Sequence, residues 1–456
     1  MSSAPHGALG GWHSRTTFVL ALSASAIGLG NLWRFSYLAG ENGGGPFVLT
    51  YILCLFLIAV PVLIAEVVLG SHGRGSPGPA MKKAADRSLV SRGWRIVGLL
   101  ACVTGLLILS YYIVIAGWAM AYAEKMQSGE FAAASAVAVG QHFEDFLSDP
   151  REMVYWQSAF LAIVAVVLCF GVRRGLGLLV WIVVPAVFVL LGVLVDYSLR
   201  YGDLDAAQQF LFSVQMLDFS KKSILVALGQ AFYTLSVGVG IGISYGAYAP
   251  QRLPVGRSVV AVAVFDTLIS LTAGLAIFPI VFANNMEPSM GPGLMFISLP
   301  YAFGNMAEGE VFGFLFFVLV AVAALGSAVA LLEPLTGYII QRTGFYRVVV
   351  VLGLTIIVWV MGLGSAFSFN VWEDRLWFGN WNFFQLLDTI TAELLLPLVS
   401  LLLALFVGWR MRREILRVEL YRESQLFFLS WLFLLRYIVP LAIVLILINA
   451  VLPLAV

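Results

Sequence analysis

Ser25-Ala26-Ile27-Gly28-Leu29-Gly30-Asn31 lies in the middle of a long apolar run, and Ser236-Val237-Gly238-Val239-Gly240 interrupts another run half a chain later. A glycine pair with polar neighbours breaks a helix at bilayer depth. Each unsatisfied backbone group there costs several kcal/mol, so such a break survives only where it lines a cavity enclosed by protein. Interrupted segments at corresponding positions of two halves point to the binding site of a secondary transporter. The expectation is therefore a carrier of a small solute.

Hydrophobic residues make up 61% and charged residues 11% of the 456 residues, with a mean hydropathy of +0.95. That is far outside the range of soluble globular domains. Runs long enough to span, roughly 20 residues each, fall near 16–39, 45–70, 97–123, 155–171, 177–198, 223–248, 258–283, 309–341, 346–363, 383–408 and 427–453. The predicted class is an all-α integral membrane protein of eleven transmembrane helices. Segment 291–306 is apolar, too short to cross and interrupted by Pro292 and Pro300. It reads as a re-entrant loop or cap, with an ordinary external loop as the alternative.

The formal net charge is only +1, but the charges are unevenly placed. With a cytoplasmic N-terminus, inner segments gather most of the basic residues, among them Lys82, Lys83, Arg87, Arg92, Arg95, Arg173, Arg174, Arg342 and Arg347. Outer segments carry acids such as Glu144, Asp145, Asp203, Asp205 and Glu373. The positive-inside rule then puts the N-terminus inside and the C-terminus outside a multi-pass inner (plasma) membrane protein, in keeping with an odd number of helices. The chain opens without a charged segment, short apolar run and cleavage site, so the first span is expected to direct insertion.

Cys54, Cys102 and Cys169 sit in apolar spans without CxxC spacing and read as packing residues. His6, His13, His72 and His142 lie outside the core, and nothing points to an enzyme or to a nucleic-acid partner.

Helices one to five (12–198) and six to ten (222–408) are predicted to form two repeats, with 427–453 as an additional helix. Because five is odd, the second repeat runs inverted relative to the first. The broken helices 1 and 6 then face each other near the midplane. Amide donors of one half-helix and carbonyl acceptors of the other point into the cavity between them. The donors suit a carboxylate and the acceptors an alkali cation.

At Trp12, Gly28-Leu29-Gly30-Asn31, Trp33-Arg34-Phe35 and Glu41-Asn42-Gly43-Gly44-Gly45-Pro46-Phe47, the chain resembles the neurotransmitter:sodium symporters. Within them it is similar to the bacterial amino-acid transporters with the leucine-transporter fold. The resemblance continues through Gly229-Gln230-Ala231-Phe232-Tyr233-Thr234-Leu235-Ser236, Gly291-Pro292-Gly293-Leu294, Gly326-Ser327 and Glu333-Pro334, so it covers essentially the whole chain. It implies sodium-coupled symport of a neutral hydrophobic L-amino acid by alternating access, independent of chloride, with one or two Na+ and no organic cofactor.

The resemblance places a first Na+ among the Ala26 carbonyl, the Asn31 side-chain oxygen, the Thr234 carbonyl and hydroxyl, Asp266 and one oxygen of the substrate carboxylate. Hard oxygen donors of this kind suit a small hard cation. A second Na+ would take the carbonyls of Ala24, Ile27 and Ala323 and the Ser327 hydroxyl. Here the chain departs from the family, because Gly326 stands where many bacterial relatives carry a second hydroxyl. Four protein oxygens remain, so the second ion is expected to bind weakly, recruit water or be absent.

The same resemblance assigns the substrate carboxylate to the Leu29 and Gly30 amides and the Tyr112 hydroxyl. The ammonium goes to the carbonyls of Ala26, Tyr233 and Thr234 and the Ser236 hydroxyl. Ile108, Phe232, Tyr233, Val239 and Leu331 would surround the side chain, and Ser25 and Ser327 complete the substrate-binding set. Gly28 leaves no room for the aspartate that amine transporters use to pair a lone ammonium. Val239 replaces a phenylalanine of the leucine-selective relative, which implies a larger pocket for a leucine-sized or aromatic substrate.

Asp266, Glu66 and Glu333 lie deep in spans, where an ionised side chain costs at least about 2.5 kcal/mol. By resemblance, Asp266 beside Ser270 supplies the negative charge that chloride brings elsewhere in the family. Glu66 would accept hydrogen bonds from unwound backbone, and Arg34 with Asp388 would form an outer gate over Tyr112 and Tyr233. The inner gate departs again, with Leu9 and Gln341 in place of the family's arginine and acid. Inner closure must then rest on Trp12 with Tyr248 or on another pair.

Gly175 and Pro185 form a spacing that in relatives can unwind the fifth helix, an ordinary proline kink being the alternative. A channel would need a continuous polar path. The remaining alternative is a transporter-fold binding protein or sensor with impaired ion coupling, which Gly326 and Leu9 would permit.

Overall fold

The computed structural model describes residues 11–213, 219–251, 253–288, 293–377 and 381–451, and the regular elements among them are all helical. Leu9, Gly291 and Pro292 lie outside the described residues.

Among the described residues, nine helices are long and apolar enough to cross a bilayer: Gly45–Gly73, Arg92–Gln127, Pro150–Cys169, Val172–Tyr201, Val255–Ala283, Gly309–Thr343, Arg347–Phe367, Phe383–Arg410 and Gln425–Ile448. A tenth span forms if Arg15–Ala26 and Gly30–Glu41, bent by 51° at their junction, are taken together. The expected broken sixth span is two shorter helices, Lys221–Thr234 and Ile241–Ala247, with an irregular segment at 235–240 between them. By length and hydropathy alone, the described residues hold nine to ten spans.

The backbone gives the reason. Gly238 and Gly240 adopt φ of +86° and +76° and Ser236 of +51°, a left-handed region that interrupts α-helical hydrogen bonding and that glycine enters without steric cost.

The 291–306 stretch contains a short apolar helix, Leu294–Gly304, with most of its residues buried. Phe296 on it meets the rings of Trp118 and Tyr122 at centroid distances of 5.5 and 5.2 Å, so the large apolar residues there pack on the bundle. A second short helix, Pro77–Ser88, buries Ala80, Met81, Ala84 and Ala85 and exposes Lys82, Lys83, Asp86 and Arg87. This two-faced pattern suits a helix lying along a membrane surface.

Without a hydrophobic drive between helices in lipid, bundles rely on small residues that let backbones approach closely. The Gly45–Gly73 helix packs in this way against Ile241–Ala247. A Cβ on Gly70 would lie 1.9 Å from the Ile243 carbonyl oxygen, and one on Gly246 would lie 2.5 Å from that of Val67. The second half-helix of the broken pair is thus held against a continuous span.

Gly70→Ala is expected to force these backbones apart and destabilise the protein by about 1–3 kcal/mol. Gly229→Ala, where an added methyl meets open space, should leave the melting temperature unchanged or raise it slightly. Thermal unfolding of both variants in detergent checks this, and equal melting temperatures would show that the Gly70 contact constrains nothing.

Candidate functional site

The Arg15–Ala26 helix ends at Ile27, whose backbone is extended (φ −74°, ψ 110°). The amides freed by the break find side-chain partners. Gly28 N donates to Asn31 Oδ1 at 3.0 Å, and Leu29 N donates to the Tyr112 hydroxyl at 3.3 Å. The two breaks are tied directly, since Gln230 Nε2 donates to the Gly30 carbonyl at 2.8 Å and Ser236 Oγ to the Ser25 carbonyl at 3.1 Å. Glu66, fully buried, accepts from Gly238 N at 2.9 Å and Gly242 N at 3.2 Å. A carboxylate taking two backbone amides offsets its own desolvation and satisfies the unwound segment together.

Asp266 forms the polar centre. Its Oδ1 accepts from Asn31 Nδ2 at 2.7 Å and from Thr234 Oγ1 at 2.9 Å, and its Oδ2 accepts from the Tyr51 hydroxyl at 3.0 Å. Asn31 Nδ2 also donates to Ser270 Oγ at 2.9 Å. No lysine or arginine among the described residues pairs with this fully buried carboxylate. Neutral donors reduce the cost of a buried charge, and a bound cation or a proton would balance the rest. An oxygen-rich set around such a charge is what a small hard cation recognises.

Ser327 Oγ donates to the carbonyls of Ser25 at 3.1 Å and Ile27 at 3.3 Å, which brings the Gly309–Thr343 helix onto the first break. Ala323 lies about one turn earlier on that helix and is buried. Gly326 has a physical reason: a Cβ there would stand 2.5 Å from the Ala24 carbonyl oxygen. The close approach of the two backbones leaves no room for a side chain at this position.

A cavity lies between the breaks. Ser25, Ala26 and Gly30 line one side, Ile108 and Tyr112 a second, and Tyr233, Ser236 and Val239 a third, with Ser327 and Leu331 opposite. Three expected residues stand behind this wall. Leu29 offers its amide to Tyr112, Phe232 is buried in the core, and Thr234 turns to Asp266. Leu396 also lines the cavity; sequence reading missed it, because nothing distinguishes one leucine among the many in its span.

The cavity volume is only ≈30 Å³, enough for a water or two. The extra room expected from Val239 is not open in this conformation, where a Cβ on Gly105 would stand 3.5 Å from that of Val239. Side chains around it must part to admit an amino acid.

Above the cavity, the Arg34 guanidinium lies 4.4 Å from the Tyr233 ring centre and 3.8 Å from Asp388. At the opposite end, Trp12 donates from its backbone to the Tyr248 carbonyl at 2.9 Å and from its indole to that of Tyr245 at 3.1 Å. Tyr248 in turn donates to Glu333 at 2.8 Å. Glu333 is also paired with Arg347, which reaches the Leu168 carbonyl at 2.7 Å. Arg347 is thus the additional partner that the reading of the inner end left open. The available signal was the buried Glu333, which needs a cation, and the arginine that begins the next span. Gln341 instead accepts from Ser76 N at 2.9 Å and Ser76 Oγ at 2.7 Å.

Comparison with known proteins agrees with this geometry. The model of the sodium:neurotransmitter symporter family matches residues 10–136 and 128–455. An uncharacterized sodium-dependent transporter of Bacillus subtilis, YhdH, is 33% identical over 443 residues, covering 96% of this chain and 97% of that one. The human sodium- and chloride-dependent GABA transporter 2 is 24% identical, covering 93% and 78%. The crystal structure of MhsT in complex with L-phenylalanine superposes with a TM-score of 0.89 at 35% identity, covering 97% of this chain and 99% of that one. The chain belongs to the sodium:neurotransmitter symporter family, a family of transporters and not of enzymes.

Proposed function

We propose that the chain couples Na+ to the uptake of a neutral hydrophobic L-amino acid, leucine-sized or aromatic, by alternating access and without chloride. The observation that carries this reading is Asp266, a buried carboxylate with three neutral donors and no cationic side chain among the described residues. The phenylalanine bound by MhsT and the absence of any charged side chain on the cavity wall support the substrate class. In this reading Na+ binds among Ala26, Asn31, Thr234 and Asp266. A second ion, where one binds, uses Ala24, Ile27, Ala323 and Ser327.

The coupling follows from charge. A zwitterionic amino acid adds no net charge to the buried site, so one Na+ beside Asp266 leaves the loaded centre neutral. The carboxylate of the substrate meets the Leu29 and Gly30 amides and Tyr112, and its ammonium meets the carbonyls of Ala26, Tyr233 and Thr234 with Ser236. One oxygen of the substrate carboxylate also meets the Na+, so each raises the affinity of the other. The halves 12–198 and 222–408 act as inverted repeats that rock about this centre, with the N-terminus cytoplasmic and the C-terminus outside. Arg34 and Asp388 close the outer path.

Three measurements test the reading. Asn31→Ala should lower Na+ affinity and substrate affinity together, within the 5–150-fold range typical of coupled sites. Radioligand binding across a Na+ titration checks this. Amino-acid binding indifferent to Na+ in the wild type would favour a binding protein or sensor.

Val239→Phe should fill the space at the side-chain end and shift preference toward smaller amino acids by about 1–3 kcal/mol. A competition panel with an unchanged order would remove Val239 from the specificity determinants.

In proteoliposomes, replacing chloride by gluconate should leave wild-type uptake unaltered. Asp266→Asn should be slower and partly rescued by chloride. Strict chloride dependence of the wild type would overturn the charge argument.

A further inference from the structure

The Pro77–Ser88 helix, the start of Arg92–Gln127 and the end of Gly309–Thr343 enclose a second cavity of ≈560 Å³, which shares no lining residue with the cavity between the breaks. Lys82, Lys83, Arg95 and Arg342 line it, against a single acid, Asp86. Asp86 is already paired with Arg92 at 2.6 Å. Lys83 and Arg342 have only neutral acceptors, the Gly73 carbonyl at 3.2 Å and the Tyr338 hydroxyl at 3.0 Å. Lys82 and Arg95 have no acidic partner among the described residues.

The surroundings are short of negative charge. Partial burial, then the nearby Arg87 and Arg74, lower the Lys83 ammonium below its ordinary pKa, with Glu419 only partly opposing them. The remaining wall is apolar apart from the Gln341 amide and the Tyr338 hydroxyl. Ile96 is 64% and Leu99 36% exposed at the start of a membrane span, where exposed aliphatic side chains face acyl chains. A cationic cup continuous with a lipid-facing apolar strip matches an amphiphile, whereas a free anion would have no use for the strip.

We propose that this cavity binds an anionic phospholipid, its phosphate held by Lys82, Arg95 and Arg342 and its acyl chains lying along Ile96 and Leu99. Basic pockets between helices at the bilayer surface recognise such headgroups. The lipid would bridge the surface helix to the long helix that carries Ser327 and Leu331. It would add a charge clamp to the one polar link already there, from Gln341 to Ser76.

The full chain, purified in a nonionic detergent, provides the test. Lipid retention by native mass spectrometry and melting temperature are compared for dioleoylphosphatidylglycerol, dioleoylphosphatidylcholine and inorganic phosphate at equal concentration. Phosphatidylglycerol should be retained and should raise the melting temperature, while the other two should do neither. Combining Lys82→Gln, Arg95→Gln and Arg342→Gln should weaken retention by about fivefold per side chain removed. Arg173→Gln with Arg174→Gln, outside the cavity, should leave it unchanged. Equal retention of phosphatidylcholine, an equal shift from inorganic phosphate, or full retention by the triple variant would each overturn the proposal. The wild-type comparison decides it even if the triple variant fails to fold.

Discussion

Everything in this structure depends on satisfying backbone that has been unwound inside an apolar bundle. A continuous helix answers its own amides and carbonyls, but the breaks at Ile27–Gly28 and at 235–240 cannot. Glu66 answers two amides of the second break, Asn31 and Tyr112 answer two of the first, and Gln230 and Ser236 join the breaks to each other. The continuous spans are rigid supports for these side chains. Gly70 and Gly246 exist to bring the half-helix Ile241–Ala247 within reach of Glu66, because any larger residue would hold the backbones apart. The site is therefore a consequence of how the broken helices are kept stable.

Much of this was legible in the chain. The two glycine-interrupted runs located the breaks: Gly238 and Gly240 take the left-handed region at the second, and at the first a Cβ on Gly28 would stand 2.4 Å from Ser327 Oγ. The positions of the long apolar runs matched the continuous helices because hydrophobic length alone determines them. The run 223–248 is apolar enough to cross, and the interruption read at Ser236–Gly240 is where positive φ at 236, 238 and 240 cuts its helix. Leu396 and Arg347 were not singled out, because their roles arise from approach between distant segments. The free space at Val239 was not legible for the same reason, as it depends on how closely the helix bearing Gly105 packs.

Gly326 illustrates how one contact constrains another. The Gly309–Thr343 helix comes close enough to the first break for Ser327 to bond two of its carbonyls. That same approach excludes a side chain at the preceding position, with Ala24 in the way. Bringing a hydroxyl there would require the helices to separate, which would lengthen the Ser327 contacts. The bare glycine is the geometric counterpart of that close packing.

The two ends of the bundle are held by different physics. Arg34 and Asp388 stand 3.8 Å apart with side chains 17% and 38% exposed, a long pair with its carboxylate open to water, which keeps it weak. Glu333 is fully buried and receives Arg347 and Tyr248 together, while Trp12 caps the same end through two backbone carbonyls. Separating a buried pair leaves an uncompensated charge that costs about 3–5 kcal/mol unless water follows it. Parting Arg34 from Asp388 therefore costs little, whereas parting Glu333 from Arg347 requires water to reach a fully buried carboxylate.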